Sequence, residues 1–313
     1  MSISLCLSSC FVSVTVRAPA KVNLFLGVGP RRPDGYHELA TVFQAVSLYD
    51  ELRVRRADEL RVDVRGDDSS GVPCGEDNLA VRAVRAIAHR LGYPPEIHLD
   101  LLKGIPVAGG MAGGSADAAA ALVACNALWE ARLSTEVLLD IAAGIGSDVP
   151  FCLLGGTALG YGRGERLAPI LTGGTFHWVI ALADVGLSTA AVYAEFDKRY
   201  PHRAQTPHIP PELLSALRDG DAARLGPLLH NDLQEIALAL RPSLARTLEA
   251  GLELGALGAI VCGSGPSCAF LVGGADGAIE LAARLAGTGL VKAVRRCAGP
   301  VPGARVLGTN DGS

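Results

Sequence analysis

The stretch Lys103-Gly-Ile-Pro-Val-Ala-Gly-Gly-Met-Ala-Gly-Gly-Ser115 has the residue types of an anion cradle. Gly109, Gly110, Gly113 and Gly114 let the backbone turn and bring bare N–H groups close to a ligand. The alanine-rich run that follows predicts a helix over Ala116–Trp129. A helix N-terminus adds unpaired donors and about half a positive charge, so loop and helix together suit a phosphate. Ser115 is placed either to cap that helix or to hydrogen-bond a phosphate oxygen. Lys103 is placed to reach the phosphates or to shield them from outside. Asp117 fits less easily: its charge complements the dipole but repels a phosphate, so it must point away or approach a metal held by the nucleotide. A structural glycine-rich turn before a helix has the same composition, and the loop alone does not choose. Two familiar nucleotide patterns are absent, because no Lys follows Gly114 and no GxGxxG occurs.

The elements that must position this loop belong to a chain of 313 residues, 49% hydrophobic and 19% charged, which is ample for two domains. A net charge of −4 gives no general attraction to nucleic acid or anionic lipid, so phosphate binding has to be local. Cys6, Cys10, Cys74, Cys125, Cys152, Cys262, Cys268 and Cys297 form no CxxC pair, which reads as reduced, buried thiols of a cytoplasmic protein. The apolar opening has no basic start and Arg17 follows it, unlike a signal peptide; Met1–Cys10 is expected as a loose extension.

Alternation and turn residues predict strands at Phe11–Arg17, Lys21–Val28, Leu39–Leu48, Leu52–Val64, Ile97–Leu102 and Thr157–Tyr161. Helical spacing covers Asn78–Leu91 and Thr135–Ala143, the latter capped by Ser134. The pair Gly173–Gly174 marks a domain boundary. Beyond it come a strand (His177–Ala183), a helix (Ala190–Arg199), a linker (Tyr200–Pro211) and helices near Pro211–Leu217, Ala222–Leu229 and Pro242–Leu254. The end reads strand, strand, helix, strand over Ala259–Cys262, Cys268–Val272, Ala275–Ala286 and Val291–Arg296. Without strict βαβ alternation the class is α+β. Gly160-Tyr-Gly-Arg-Gly164 reads as a hairpin turn rather than a second nucleotide loop.

Three ordered motifs give the loop a context. Its Pro106–Ala116 span resembles the second motif of the GHMP kinases, a Pro-x-x-x-Gly-Leu-Gly-Ser-Ser loop opening a helix. Ala18-Pro-Ala-Lys-Val-Asn-Leu24 resembles the first motif and Gly263-Ser-Gly-Pro-Ser-Cys268 the third. Pro19–Leu26, Arg32-Pro-Asp-Gly-Tyr-His-Glu-Leu39, Gly146-Ser-Asp-Val-Pro-Phe151 and Asn231-Asp-Leu233 resemble one branch of that superfamily. Its members phosphorylate the 2-hydroxyl of a cytidine diphosphate-linked methylerythritol in the non-mevalonate route to isoprenoids. Mevalonate and homoserine kinases share the glycine loop but not the Asp-Gly-Tyr-His-Glu-Leu stretch.

The resemblance implies a ribosomal protein S5 domain 2-like N-terminal domain over 11–172 and a ferredoxin-like C-terminal domain over 175–308. ATP is then the phosphoryl donor, with Mg2+ carried by the nucleotide and no dedicated metal site. Its cradle is Lys103, Pro106, Val107, Ala108, Gly109, Gly110, Met111, Ala112, Gly113, Gly114, Ser115 and Ala116. Lys21 matches the catalytic lysine and Asp148 the base. Asn23, two residues from Lys21 on a strand, shares its face. Tyr36 and His37 match the residues that receive the cytosine, and Gly263, Ser264 and Gly265 join the substrate side. Asp184 and Ser188 or Thr189 are weaker candidates for the acceptor side. The usual second serine of the loop is Ala116 here, which removes one hydroxyl. Other readings are a GHMP kinase for mevalonate, a sugar or homoserine, and a non-catalytic nucleotide-binding module. Oligomeric state is left open.

Overall fold

Nineteen residues of nearly unbroken burial, Ser13–Arg31, form a single strand, β1, rather than the two expected around Ala18–Pro19. The proline is accommodated by a register shift: Pro19 faces Tyr49 of the next strand, while Ala20 faces Val46. The computed structural model of the protein describes residues 13–66, 69–184, 186–203 and 205–310. The expected extension over 1–10 and the strand start at Phe11 lie outside the described residues.

Strand β2 (His37–Arg56) is likewise continuous across the predicted gap at 49–51 and ends before a turn that separates β3 (Arg61–Gly66). There follow α1 (Leu79–Leu91), β4 (Ile97–Lys103), α2 (Gly113–Leu128), α3 (Thr135–Ile145), α4 (Val149–Leu154), β5 (Thr157–Gly162) and β6 (Arg166–Pro169). The second part holds β7 (Phe176–Leu182), α5 (Thr189–Arg199), α6 (Pro211–Asp219), α7 (Ala222–Leu225), β8 (His230–Asn231), α8 (Gln234–Leu240), α9 (Ser243–Glu253), β9 (Gly258–Val261), β10 (Cys268–Val272), α10 (Ala275–Ala286), β11 (Ala293–Gly299) and β12 (Arg305–Asn310). Strands β6, β8 and β12 and the short helix α4 were not read from sequence. The predicted helix to Leu229 stops at Leu225 and continues as a 3-10 turn over Gly226–Leu228, where Pro227 removes a donor.

The first sheet runs β12-β1-β2-β4-β3, with β5 and β6 extending from β2 and β8 from β1. The chain's last strand thus crosses the division expected between 11–172 and 175–308 and completes the first sheet. Helix α2 buries an unbroken run from Ala116 to Leu122, because its alanines let both the sheet and α1 approach it closely. The second sheet, β11-β7-β10-β9, is wholly antiparallel, and taking β7 as its first strand the order is that of a ferredoxin-like unit.

Alternation along β7 shows how the two sheets are joined. Val179 and Ala181 pack with α9 and α10 residues, whereas Trp178, Ile180 and Leu182 belong to the core shared with the first sheet. The fully buried Trp178 indole donates to Gln44 Oε1 of β2 at 3.0 Å across that boundary. Asp232 makes a second tie: Oδ2 accepts from Val28 N–H at 2.8 Å and from Arg203, and Oδ1 from His230 at 2.9 Å.

Burial alone would lift the Asp232 carboxyl, but the His230 hydrogen bond, the Val28 N–H and Arg203 outweigh it and hold the group below its usual value. A depressed carboxylate stabilises the fold above its unfolded value, and that stabilisation is lost as pH falls through the folded one. Asp232→Asn is expected to lower stability near neutral pH and to flatten the acid loss below about pH 4. Melting temperatures of both proteins between about pH 3 and 7 check this.

Candidate active site

Helix α2 begins three residues earlier than its propensity suggests, at Gly113. The residue before it, Ala112, sits in the left-handed region with φ 63° and supplies no side-chain cap. The donors of the first turn therefore remain available to a ligand. Ser115 lies inside that turn and caps nothing. Ala108 is also left-handed, with φ 53°, so the loop is held in a conformation that alanine resists.

The holding comes from both sheets. Lys21 N–H donates to Met111 C=O at 3.1 Å, stitching β1 to the loop. A Cβ on Gly110 would stand 1.9 Å from the carbonyl oxygen of Cys262, so only glycine lets the loop meet the segment after β9. Asn231 Nδ2 donates to the carbonyls of Val261 and Gly263, at 2.9 and 2.7 Å, and Oδ1 accepts from Leu233 N–H. The three motifs and the Asn231–Leu233 segment thus converge.

Beneath the loop lies a buried charge cluster. Lys103 Nζ donates to Asp50 Oδ2 and, at 2.7 Å, to Asp117 Oδ2. Asp50 Oδ1 accepts the N–H groups of Gly104 and Ile105 at 2.7 and 2.9 Å. Asp117 thus gives Oδ2 to Lys103 while still lining the cavity beside the loop; its Oδ1 is buried with no hydrogen-bond partner among the described residues. Burial, then the Asp50 charge, push the Asp117 carboxyl well up against the opposing pull of Lys103. For Lys103, burial acts downward, but Asp117 and Asp50 win and hold the ammonium above its usual value. Its ammonium is engaged by these carboxylates, so Lys103 anchors the loop from beneath.

One cavity of about 960 Å³ runs past the loop. Its wall includes every residue from Pro106 to Ser115, together with Lys103, Lys21, Asn23, Asp148, Tyr36, His37, Gly263 and Ser264. Ala116 is packed in the core, and Gly265 backs the turn without lining the cavity. Lys21 Nζ stands 3.6 Å from Asp148 Oδ2, and 2.6 Å from Asn23 Oδ1. Asp148 precedes α4 but makes no capping bond, so its carboxylate is not consumed by local structure.

At the other end, His37 Nε2 donates to Asp197 Oδ1 at 2.7 Å, and its ring stacks on Tyr193 at 5.1 Å. Arg163, from the β5–β6 hairpin tip, lies 4.8 Å over the Tyr36 ring. Burial and then the Asp148 charge push the Tyr193 phenol up, which puts this end within electrostatic reach of Asp148. Thr189 lines the cavity and pairs with Ser264 through their hydroxyls at 2.8 Å. Ser188 instead caps α5, and Asp184 opens onto a separate cavity of about 290 Å³. Arg163, Tyr193 and Asp197, with Val72 and Pro73 beside Val107, were missed from sequence; the Arg163 hairpin was noticed only as a turn.

The GHMP kinase N-terminal domain model matches residues 78–156, and the GHMP kinase C-terminal model matches 213–289. A 4-diphosphocytidyl-2-C-methyl-D-erythritol kinase of Nocardia farcinica is 56% identical over 94% of this chain and 96% of that protein. The chain belongs to the GHMP kinase family. A second GHMP kinase of that name, from Streptomyces avermitilis, is 56% identical over 95% of this chain and 100% of its own. The crystal structure of a 4-(cytidine 5'-diphospho)-2C-methyl-D-erythritol kinase superposes with a TM-score of 0.74 at 33% identity, covering 91% of this chain and 98% of that one. A mevalonate kinase of L. major in complex with R-mevalonate gives a TM-score of 0.71 at 20% identity, over 91% and 95% of the two chains; this likeness concerns the fold.

Removing one member of a buried charge cluster strands the others. Asp50→Ala is expected to cost about 3–5 kcal/mol in urea unfolding and to weaken ATP binding measured by calorimetry. Asp117→Asn, which keeps the shape and removes a desolvated charge, is expected to cost less.

Proposed function

We propose that this GHMP kinase transfers the γ-phosphoryl group of ATP to the 2-hydroxyl of 4-diphosphocytidyl-2-C-methyl-D-erythritol. The observation that carries the reading is the Lys21–Asp148 pair, which stands in one cavity between a helix-backed glycine loop and a ring-lined end. Relatives that are 54–56% identical over nearly the whole chain bear the name of that activity.

The phosphates lie on the N–H groups of the glycine loop and the first turn of α2, whose dipole favours their charge. The apolar side chains of Val72, Pro73 and Val107, at the start of the loop, offer a surface to the adenine. Mg2+ carried by the nucleotide would supply charge neutralisation at the phosphate being transferred. The half-buried Ser115 hydroxyl, free of any capping duty, is the hard oxygen donor in the first turn that fits such an ion; Ala116 offers none. The cytosine sits against Tyr36 and Tyr193, with the His37 region meeting its edge. This places the methylerythritol hydroxyl near Asp148, which accepts its proton as the new P–O bond forms. Lys21, 3.6 Å from Asp148, offsets charge on the transferring group. The buried thiols of Cys125, Cys152, Cys262, Cys268 and Cys297, all pushed up by burial, fit a reduced, cytoplasmic setting.

Phosphorus NMR of product formed from each candidate alcohol tests the acceptor. Turnover of mevalonate, homoserine or a sugar without turnover of the cytidylyl substrate overturns this reading, as does no turnover of any. Asp148→Asn is expected to keep ATP affinity within severalfold while kcat falls by at least ~100-fold; near-normal kcat removes Asp148 from the mechanism.

A further inference from the structure

An asparagine amide has two nearly isosteric ends, so something must decide which end meets the Lys21 ammonium. The deciding group lies one strand away. Thr41 of β2 is fully buried, and its hydroxyl donates to the Phe25 carbonyl oxygen at 2.6 Å. A carbonyl can only accept, so the hydroxyl proton is committed there. Thr41 Oγ1 then has only lone pairs to offer Asn23, and Asn23 Nδ2 donates to it at 2.9 Å. This turns Asn23 Oδ1 toward Lys21 Nζ, which donates to it at 2.6 Å. The reversed amide would set an NH2 group against an ammonium and a carbonyl oxygen against lone pairs.

The chain is closed on its remaining side. A Cβ on Gly263 would stand 3.3 Å from Lys21 Nζ and 3.7 Å from Asn23 Oδ1, so the third motif covers the pair. Asn23 and Lys21 are 3% and 4% exposed, leaving little water to replace a lost partner. A register shift between Asn23 and Phe25 brings Thr41 into reach of both: Phe43 faces Asn23, Val42 faces Phe25, and Leu24 is the extra residue.

We propose that Thr41, which touches neither the cavity nor any ligand in it, is a positioning residue for phosphoryl transfer, acting through Asn23 on the direction of the Lys21 ammonium. This rests on the catalytic reading of Lys21. Losing the hydroxyl leaves Asn23 Nδ2 without its acceptor, so the amide is held only at its Lys21 end and the ammonium can drift from Asp148 and the transferring phosphate, where displacements of about 1 Å can cost up to ~100-fold in rate.

Thr41→Ser and Thr41→Ala both lose the methyl group and differ only in the hydroxyl, so their comparison separates orientation from packing. The expected result is a kcat for Thr41→Ser within about threefold of the unsubstituted enzyme, and for Thr41→Ala at least about tenfold below Thr41→Ser. KM for ATP and for the cytidylyl acceptor should agree within about twofold between the two variants. Equal kcat in the two variants overturns the proposal, and so does a difference confined to KM. Lys21→Met, assayed alongside, distinguishes the failures: if it retains turnover, the role given to Lys21 is wrong, whereas its loss with equal Ser and Ala variants leaves that role standing and removes Thr41.

Discussion

Everything at the phosphate loop hangs from an ammonium with almost no water around it. Lys103 ends β4, Asp50 lies in β2, and Asp117 lies in the first turns of α2. Their mutual bonds therefore tie strand, strand and helix together at the one place where the chain must leave the sheet, form an irregular loop and begin a helix. Such a cluster is costly to desolvate, and hydrophobic replacement could serve stability as well. What apolar side chains could not supply is the pair of acceptors that Asp50 gives to Gly104 and Ile105, which direct the backbone into the loop.

From that anchor the site is assembled by backbone contacts as much as by side chains. The left-handed Ala108 and Ala112 persist because the loop is bonded to β1 and pressed against the turn following β9. The same two neighbours bring Lys21 and the third-motif glycine. Glycine loop, Lys21 and the turn after β9 are consequently bonded into one assembly, and the indole of Trp178 adds a further tie between the two sheets.

Much of this was legible in the residues and some was not. The glycine loop, its helix and the second sheet announce themselves through composition and alternation. The start of α2 does not, because glycines that look like helix breakers are drawn into the first turn by tertiary contacts. Nor does the continuity of β1 through Pro19, where pairing overrides a local stop signal. Lys21 and Asp148 were found by resemblance, not by spacing, since nothing in the 126 intervening positions dictates that they meet. Arg163, Tyr193 and Asp197 come from a hairpin and a helix with no motif of their own, and only the fold brings Arg163 to Tyr36 and the other two to His37. Lys103 and Asp117 were visible as charges, but their pairing with each other and with Asp50 was not, and that pairing determines what the Lys103 charge does.

The pairing of β12 with β1 has a consequence in time. Strand β1 carries Lys21 and Asn23, yet one of its flanking partners is built from Arg305–Asn310. That pairing joins residues from opposite ends of the fold, so the strand that bears Lys21 is bordered by a segment that first passes through the second sheet. A contact of such high sequence separation needs the closure of a long loop, so this edge of the first sheet forms more slowly than the local pairing of β1 with β2.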